Sequence, residues 1–215
     1  DEGTFAYAAS TTLVATHLTV NGGTFNSGAN ADAIGTVTLV GGTIANSAAL
    51  TGTAYTLESG AVSGILAGAI AVTKNTNNTV NLTGVNTISS TLTINGGTVA
   101  LSGSGSAVSV TAITVNLGGT LTLDNTTTAV ASRLGDSIVL TTHGGNFNFV
   151  GNSAAASSET LGQLALSTGH SVVTVTPGTG GSTTLTFGNN PGFNRTSGAT
   201  VLFRGTNFGS APAAN

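Results

Sequence analysis

The stretch Thr91-Leu-Thr-Ile-Asn-Gly-Gly-Thr-Val99 decides the fold. Apolar and polar residues alternate on both sides of the Asn-Gly-Gly step, which is the pattern of two β-strands with one buried face each. Glycine adopts positive φ angles at little cost, so the step predicts a sharp corner between the strands. Near-copies of this stretch occur at His17–Phe25, Thr36–Ile44, Ile113–Leu121 and, more loosely, Ile138–Phe147.

The spacing of the copies predicts a solenoid. The first glycine of each pair stands at positions 22, 41, 96, 118 and 144, so the intervals are 19, 55, 22 and 26. We interpret the long interval, from Gly41 to Gly96, as containing two degenerate copies, near Gly60 and Gly84. Repeats of about 20–26 residues are typical of solenoids. A β-hairpin at each Asn-Gly step is the competing interpretation, but meander strands would recur about every 8–12 residues.

The composition favours an all-β chain and excludes several function classes. Thr, Gly, Ser and Asn account for 113 of the 215 residues, only 5% of the residues are charged, and the net charge is −3. Four Lys and Arg residues are too few to neutralise a nucleic-acid backbone. The lack of cysteine removes the usual zinc sites, and no apolar run is long enough for a membrane-spanning helix. We therefore expect no nucleic-acid partner, no membrane insertion, no metal and no cofactor.

These patterns predict one elongated domain over residues 1–209, followed by a linker-like tail at 210–215. We expect a right-handed parallel β-solenoid (β-helix) with degenerate rungs of about 19–26 residues and a divergent C-terminal cap region. Leu, Ile and Val would fill the interior, Thr would face outward, and corner Asn residues would stack into amide ladders. The predicted corner residues are Gly22, Gly23, Gly41, Gly42, Gly96, Gly97, Gly118, Gly119, Gly144 and Gly145.

Two features of the sequence indicate that the C-terminal part of the solenoid differs from the rest: the distribution of phenylalanine and one segment of small residues. Six of the eight Phe residues follow position 146, which predicts a wider or differently packed C-terminal part, or a cap. The segment Ser153–Ser158 is predicted to be a short helical turn or a loop.

Several segments also resemble a known family. They are Gly118–Asn125, Arg133–Asp136, Ser157–Gly162, Ser171–Pro177 and Gly198–Gly209, and Thr91–Val99 fits the same pattern. Over most of residues 85–209 the chain is similar to bacterial secreted proteins with autotransporter-associated β-strand repeats. The resemblance implies a β-solenoid, secretion to the cell surface and a structural or adhesive role. It implies no catalytic residues.

The charged residues do not predict an active site. The seven acidic residues are scattered, and an enzyme would need Glu58 to be brought beside another carboxylate by the coil. We expect Asp124 to lie at a turn and Asp136 to pair with Arg133. The alternative is that Asp124 and Asp136 share a structural cation. Lys74 is predicted to lie in an exposed loop, which argues against an isopeptide crosslink.

The two ends of a solenoid predict self-association. Terminal rungs expose strand edges and apolar positions, and the runs at 4–10 and 200–204 have strand patterns. We expect these ends to join by strand addition, and a head-to-tail contact that does not close produces a fibre. The candidate self-association residues are Phe5, Tyr7, Val201, Phe203 and Phe208.

The predicted function is therefore a non-enzymatic structural subunit of an extracellular filament or cell-surface stalk of a bacterium, whose partner is a second copy of itself. One alternative is an adhesive or carbohydrate-binding module that binds surface glycans. The other is a β-helix enzyme that cleaves polysaccharides.

Overall fold

The computed structural model describes residues 3–6, 14–188 and 191–206, and these residues form strands without any helix. Tyr7, Phe208 and the tail at 210–215 lie outside the described residues. The strands are β1 Thr4–Ala6, β2 Val14–Asn26, β3 Asp32–Ile44, β4 Ala49–Thr51, β5 Ala54–Leu57, β6 Gly60–Val62, β7 Ile65–Gly68, β8 Val72–Lys74, β9 Thr79–Leu82, β10 Thr87–Ile88, β11 Thr91–Ile94, β12 Gly97–Leu101, β13 Ala112–Asn116, β14 Gly119–Asp124, β15 Val139–His143, β16 Asn146–Val150, β17 Ser157–Leu161, β18 Gln163–Thr168, β19 His170–Thr176, β20 Thr183–Phe187, β21 Phe193–Arg195 and β22 Thr200–Gly205.

Every pairing between these strands is parallel, and each strand pairs with the strand one turn of the coil away. Hairpins would give antiparallel neighbours, so the hairpin interpretation is wrong for the described strands. The all-β parallel solenoid predicted from the repeat is confirmed. Twenty strands belong to one sheet, and β17 pairs with β20 in a separate one.

The strands of the main sheet stack on three faces, which we call A, B and C, and face C contains strands only as far as β10. Face A stacks the first part of β2, the middle of β3, and then β5, β8, β11, β13, β15, β18 and β21. Face B stacks β1, the ends of β2 and β3, and then β6, β9, β12, β14, β16, β19 and β22. Face C stacks the start of β3 with β4, β7 and β10. The first corner joins faces A and B, and the second corner joins faces B and C.

The interior consists of columns that hold one apolar side chain from each rung. On face B one such column contains Phe25, Ile44, Val62, Leu82, Leu101, Leu123 and Phe149, none of them more than 4% exposed. Burial of each side chain contributes about 1.5–3 kcal/mol. On the outward side of face A an unbroken column consists of Thr19, Thr38, Thr56, Thr73, Thr93, Thr114 and Thr141. The inward and outward alternation predicted from the sequence is thus present.

The rungs become longer towards the C-terminus. Between register partners in the face B column the sequence interval is 18 to 20 up to Leu101, and it then grows to 22 at Leu123 and to 26 at Phe149. The last interval in this column, from Val175 to Gly205, is 30. Phe149 is fully buried in this wider part, as the placement of Phe in the sequence indicated. Residues 153–155 form bends that lead into β17, and the segment 153–158 contains no helical turn.

The paired glycines lie at the first corner. Gly22, Gly23, Gly42, Gly97, Gly118 and Gly144 have positive φ, whereas their partners Gly41, Gly96, Gly119 and Gly145 do not. Stacking adds a second constraint at Gly42, because a Cβ there would collide with the carbonyl oxygen of Gly23 in the preceding rung. Register places Gly60 at the same corner.

The second degenerate copy is not at Gly84. Thr98 is the register partner of Thr79, so the first corner of that rung is formed by residues 75–78, which contain no glycine. Gly84 lies at the second corner instead, where a Cβ would collide with the carbonyl oxygen of Gly64. The nearby Asn86 is fully buried and joins three rungs: its side chain accepts from Leu66 N at 3.0 Å and donates to Ser106 O at 3.3 Å.

An amide ladder lies outside the first corner. The Asn95 side chain donates to Asn75 Oδ1 at 2.7 Å, and the Asn116 side chain donates to Asn95 Oδ1 at 2.6 Å. The predicted stacking of corner Asn residues is therefore confirmed over three consecutive rungs.

Candidate functional site

The first described rung contains the short strand β1, an exposed aromatic ring and an apolar groove. Within the described residues β1 pairs only with β2. The Phe5 ring is 60% exposed and stacks on Phe25, with ring centroids 6.0 Å apart and planes 7° apart. Beside β1 is a groove of about 870 Å³, lined by Gly3–Phe5 and Leu18–Phe25. Within the described residues, face B begins at β1 and face A begins at β2.

The C-terminal end presents aromatic side chains. Phe193 and Phe203 are 44% and 48% exposed, although their register partners Leu164 and Val173 are buried. Both rings occupy interior columns and are exposed because they belong to the last described rung. Val201 lies on the same strand as Phe203 and packs against the core. Of the candidate self-association residues, the structure therefore places Phe5 at one end of face B, and Val201 and Phe203 at the other.

Lys74 lies inside the first corner, so the prediction of an exposed loop is wrong. It occupies an interior position of β8, in register with Ile94, and its side chain is 0% exposed. Its Nζ donates to the carbonyl and hydroxyl oxygens of Thr76 and to Gly96 O of the next rung at 3.3 Å. The Thr76 hydroxyl in turn donates to the carbonyl of Glu58 in the preceding rung. The ammonium group thus holds together a corner that lacks glycine.

Burial changes the acidity of this ammonium group. Loss of hydration lowers the pKa of Lys74, and the negative charge of Glu58 partly opposes this. Glu58 is therefore placed beside the Lys74 corner, where its charge and its carbonyl both support the turn.

Arg133 is fully buried at the second corner, so its predicted pairing with Asp136, which is exposed, is wrong. The guanidinium donates to the side-chain oxygen of Asn125 at 2.6 Å and to the carbonyls of Gly103, Gly105, Asp124 and Thr128. Arginine presents N–H donors in a planar fork, and here four backbone carbonyls and one side-chain amide oxygen lie within hydrogen-bond distance of its three nitrogen atoms. Desolvation lowers the pKa of Arg133, and Asp124 and Glu159 oppose this electrostatically.

Glu159 lies one rung beyond Arg133 and is 1% exposed. Its carboxylate accepts the backbone N–H of Arg133 at 2.9 Å and that of Leu134 at 3.0 Å. Burial raises the pKa of Glu159 to about 7, although these two hydrogen bonds and the charge of Arg133 act in the opposite direction. Together Arg133 and Glu159 form a polar lock, a term we use for this pair, which fastens the long segment 125–134 between neighbouring rungs.

Asp124 has a structural partner within its own turn. Asp124 ends β14, and its Oδ1 accepts the N–H of Thr126 at 2.9 Å, which is the turn position expected for it. No group of three or more His, Cys, Asp or Glu residues that could hold a metal ion occurs in the described part of the chain. The same part contains no helix long and apolar enough to cross a membrane.

The alternation of β8 could have revealed Lys74, because Val72 and Lys74 are two positions apart and must share a face. The polar lock has a different signal. The sequence interval between Arg133 and Glu159 is 26, the same as the interval between the register partners Leu123 and Phe149. The rung length in this part of the chain therefore predicts that Arg133 and Glu159 lie next to each other in neighbouring rungs.

Comparison with known proteins gives one partial similarity. Eighty-seven residues, 40% of this chain, are 39% identical to the adhesin BmaC autotransporter of Brucella suis biovar 1 (strain 1330). They correspond to 2% of that protein, so the chain matches a small part of a much longer relative. No protein-family model and no solved structure matches the chain. The similarity agrees with an autotransporter type of β-solenoid over part of the sequence.

Proposed function

We propose that the chain is a stalk segment of a bacterial surface protein, which lies outside the cell and carries no enzymatic activity. The observation that supports this most is the uninterrupted stack of ten strands on face B, from β1 to β22. Neighbouring strands are about 4.8 Å apart, so nine steps give a stiff rod of about 43 Å. The partial similarity to an autotransporter adhesin supports the surface location.

The same proposal includes assembly. At the C-terminal end of face B, β22 pairs only with β19 within the described residues, and an edge strand is a template for pairing with another strand. Only 5% of the residues are charged, so little repulsion opposes such contacts. The partner in this proposal is a second copy of the chain, added head to tail.

A second candidate function is adhesion, favoured by the description of the relative as an adhesin. The outward Thr column of face A offers one hydroxyl group per rung, and hydroxyl groups suit hydrogen bonding to uncharged surface glycans. Binding on a glycan array that is lost in Thr73→Val and Thr93→Val, but retained in Thr4→Val, would support this role.

Electron microscopy of the purified chain at increasing concentration tests the stalk. We expect rods of about 43 Å at low concentration and fibres of uniform width at high concentration. Compact particles without an elongated axis would contradict the stalk. Rods that stay monomeric at high concentration would contradict head-to-tail assembly and leave the stalk intact.

A further inference from the structure

We propose that Asn21 is a site of spontaneous deamidation and that the amide ladder slows the same reaction at Asn95. The chain contains two Asn-Gly steps, Asn21-Gly22 and Asn95-Gly96. Asparagine is a thermolabile residue. A following glycine favours its deamidation, because glycine has no Cβ to crowd its backbone nitrogen and adopts many backbone conformations. The proposal does not depend on the stalk, on assembly or on any partner.

The reaction needs only water. The backbone nitrogen of Gly22 attacks Cγ of the Asn21 side chain and gives up its proton, the Cγ–Nδ2 bond breaks, and Nδ2 leaves with that proton as ammonia. Water then opens the resulting cyclic succinimide at one of its two carbonyl carbons. Opening at Cγ gives aspartate, whereas opening at the main-chain carbonyl gives isoaspartate, in which the main chain runs through the former side chain. No electrons are transferred, and one neutral amide becomes one carboxylate.

The two Asn-Gly steps lie in nearly identical sequence. Residues 18–24 read Leu-Thr-Val-Asn-Gly-Gly-Thr, and residues 92–98 read Leu-Thr-Ile-Asn-Gly-Gly-Thr. Thr19 and Thr93, two positions before each asparagine, belong to the same outward column of face A. Both asparagines therefore stand at the start of the first corner, and a difference in reactivity between them must come from contacts with neighbouring rungs.

The Asn21 side chain is exposed and has no hydrogen bond within the described part of the chain. Its register partner in the next rung is Gly41, which has no side chain, so an amide ladder cannot form between these two rungs. The parallel register shifts on both sides of Asn21, so regular pairing does not fix the backbone there. Gly22 is exposed too, and among the described residues no atom beyond its chain neighbours lies within 4 Å of the place of a Cβ. Cγ of Asn21 can thus reach the nitrogen of Gly22.

At Asn95 both ends of the side-chain amide are occupied. Its Nδ2 donates to Asn75 Oδ1 at 2.7 Å, and its Oδ1 accepts from Asn116 Nδ2 at 2.6 Å. The following Gly96 is buried, and its carbonyl accepts from the Nζ of Lys74 at 3.3 Å. Rotation of Cγ onto the nitrogen of Gly96 would break both links of the ladder. The stacked rungs therefore hold this Asn-Gly step away from the geometry of the reaction.

The hydrogen bonds of the ladder set the size of the expected difference. One hydrogen bond changes an equilibrium by a factor of roughly five, and both links of Asn95 must open together. We therefore expect deamidation at Asn95 to be about 30-fold slower than at Asn21 in the folded chain. In the unfolded chain the two steps have the same neighbours, so their rates should be nearly equal.

Deamidation would change the charge of one corner without changing the fold. It adds a carboxylate to the outside of a chain that has a net charge of −3. The residue opposite is the uncharged Gly41, so the new carboxylate meets no like charge in its register partner. Because the register is already irregular around Asn21, the additional main-chain atom of isoaspartate should leave the sheet intact.

Peptide mass spectrometry after timed incubation tests the proposal. The natural chain is kept at mildly alkaline pH in water enriched in heavy oxygen, so that each newly formed carboxylate carries the isotope. Digestion with pepsin at low pH then stops the reaction, and electron-transfer fragmentation distinguishes isoaspartate from aspartate at each site. A second sample in concentrated urea gives the rates of the two steps in the unfolded chain, and circular dichroism verifies that the first sample stays folded.

A variant that releases Asn95 tests the role of the ladder. Asn75→Ala combined with Asn116→Ala removes both partners of Asn95 and leaves the contacts of Asn21 unchanged. We expect the rate at Asn95 to rise about 30-fold, towards the rate at Asn21. The control Asn81→Ala, an exposed asparagine outside the ladder, should change neither rate.

Equal rates at the two sites of the folded natural chain, or a faster rate at Asn95, would overturn the proposal. Conversion that occurs only in urea would overturn it too, since Asn21 would then be protected by the fold. A low rate at Asn95 in the folded double variant would overturn the role of the ladder. If the double variant does not fold, the comparison of the two sites within the natural chain still decides.

Discussion

Replacement of Arg133 by Met should unfold the wide C-terminal part of the solenoid at markedly lower denaturant. The guanidinium group is fully buried and donates to five oxygen atoms, four of them backbone carbonyls. Methionine keeps an apolar stem in the same space but offers no donor. The substitution therefore leaves buried acceptors without partners, and it also removes the positive charge next to Glu159.

The expected loss in free energy of unfolding is about 3–5 kcal/mol, the cost of removing one member of a buried charged cluster. Counting five hydrogen bonds to a charged group at about 1.5–3 kcal/mol each would give a larger figure. The smaller value is the better expectation, because the guanidinium no longer loses its hydration on folding and water can reach some of the carbonyls.

Urea unfolding followed by circular dichroism, together with amide hydrogen exchange, measures this loss. Because rungs contact only their neighbours, faster exchange should be concentrated in residues 103–161, around the polar lock. The matched control is Arg195→Met, since Arg195 is exposed and, within the described residues, its guanidinium donates only to Ala199 O, at 3.1 Å. That variant should differ from the natural chain by less than about 0.5 kcal/mol. A loss below about 1 kcal/mol for Arg133→Met, well short of the cost of breaking a buried charged cluster, would refute the reasoning.

Three further substitutions follow from the same contacts. The pKa of Glu159 rises from 4.5 to about 7 on folding, so its contribution to stability is complete below pH 4.5 and is lost as the pH rises through 7. This pH dependence of the free energy of unfolding is worth up to about 3 kcal/mol. Glu159→Gln should remove it, which urea midpoints measured across that pH range would show. Gly22 and Gly42 share a φ of +87°, but only Gly42 has a stacked carbonyl where a Cβ would lie, so Gly42→Ala should lower the melting temperature clearly more than Gly22→Ala, and equal effects would argue against stacking at this corner. Asn95→Ala breaks both links of the amide ladder and should lower the free energy of unfolding by about 1–2 kcal/mol. The control Asn81→Ala, on the neighbouring exposed face, should leave it almost unchanged.

The local sequence predicts the coil, but it does not predict which charged residues are buried inside it. Alternation within each strand predicts which residues face inward, and the glycine pairs predict the corners, because both are short-range effects. The prediction for Lys74 is wrong because the polar run at 75–78 resembles a loop. In the structure that run is the corner itself, and Lys74 still follows the alternation of β8.

The polar lock required information that no single strand carries. Whether Arg133 contacts Asp136, in the same rung, or Glu159, one rung further along the chain, depends on the length of the rung, and that length changes along the chain. The exposed end residues depend on the same property. Phe193 and Phe203 have the pattern of core residues and are exposed only because no described rung follows them.

The distribution of charge explains why such a weakly charged chain is suited to stacking. In the described strands no charged residue has another charged residue as its register partner. Two like charges about 4.8 Å apart at the surface would repel by about 0.9 kcal/mol, and a charge repeated on every rung would add that penalty at every step. The chain instead buries Lys74, Arg133 and Glu159 where backbone groups surround them. It leaves Arg204 outward on the last described strand, where its register partner is the uncharged Thr174.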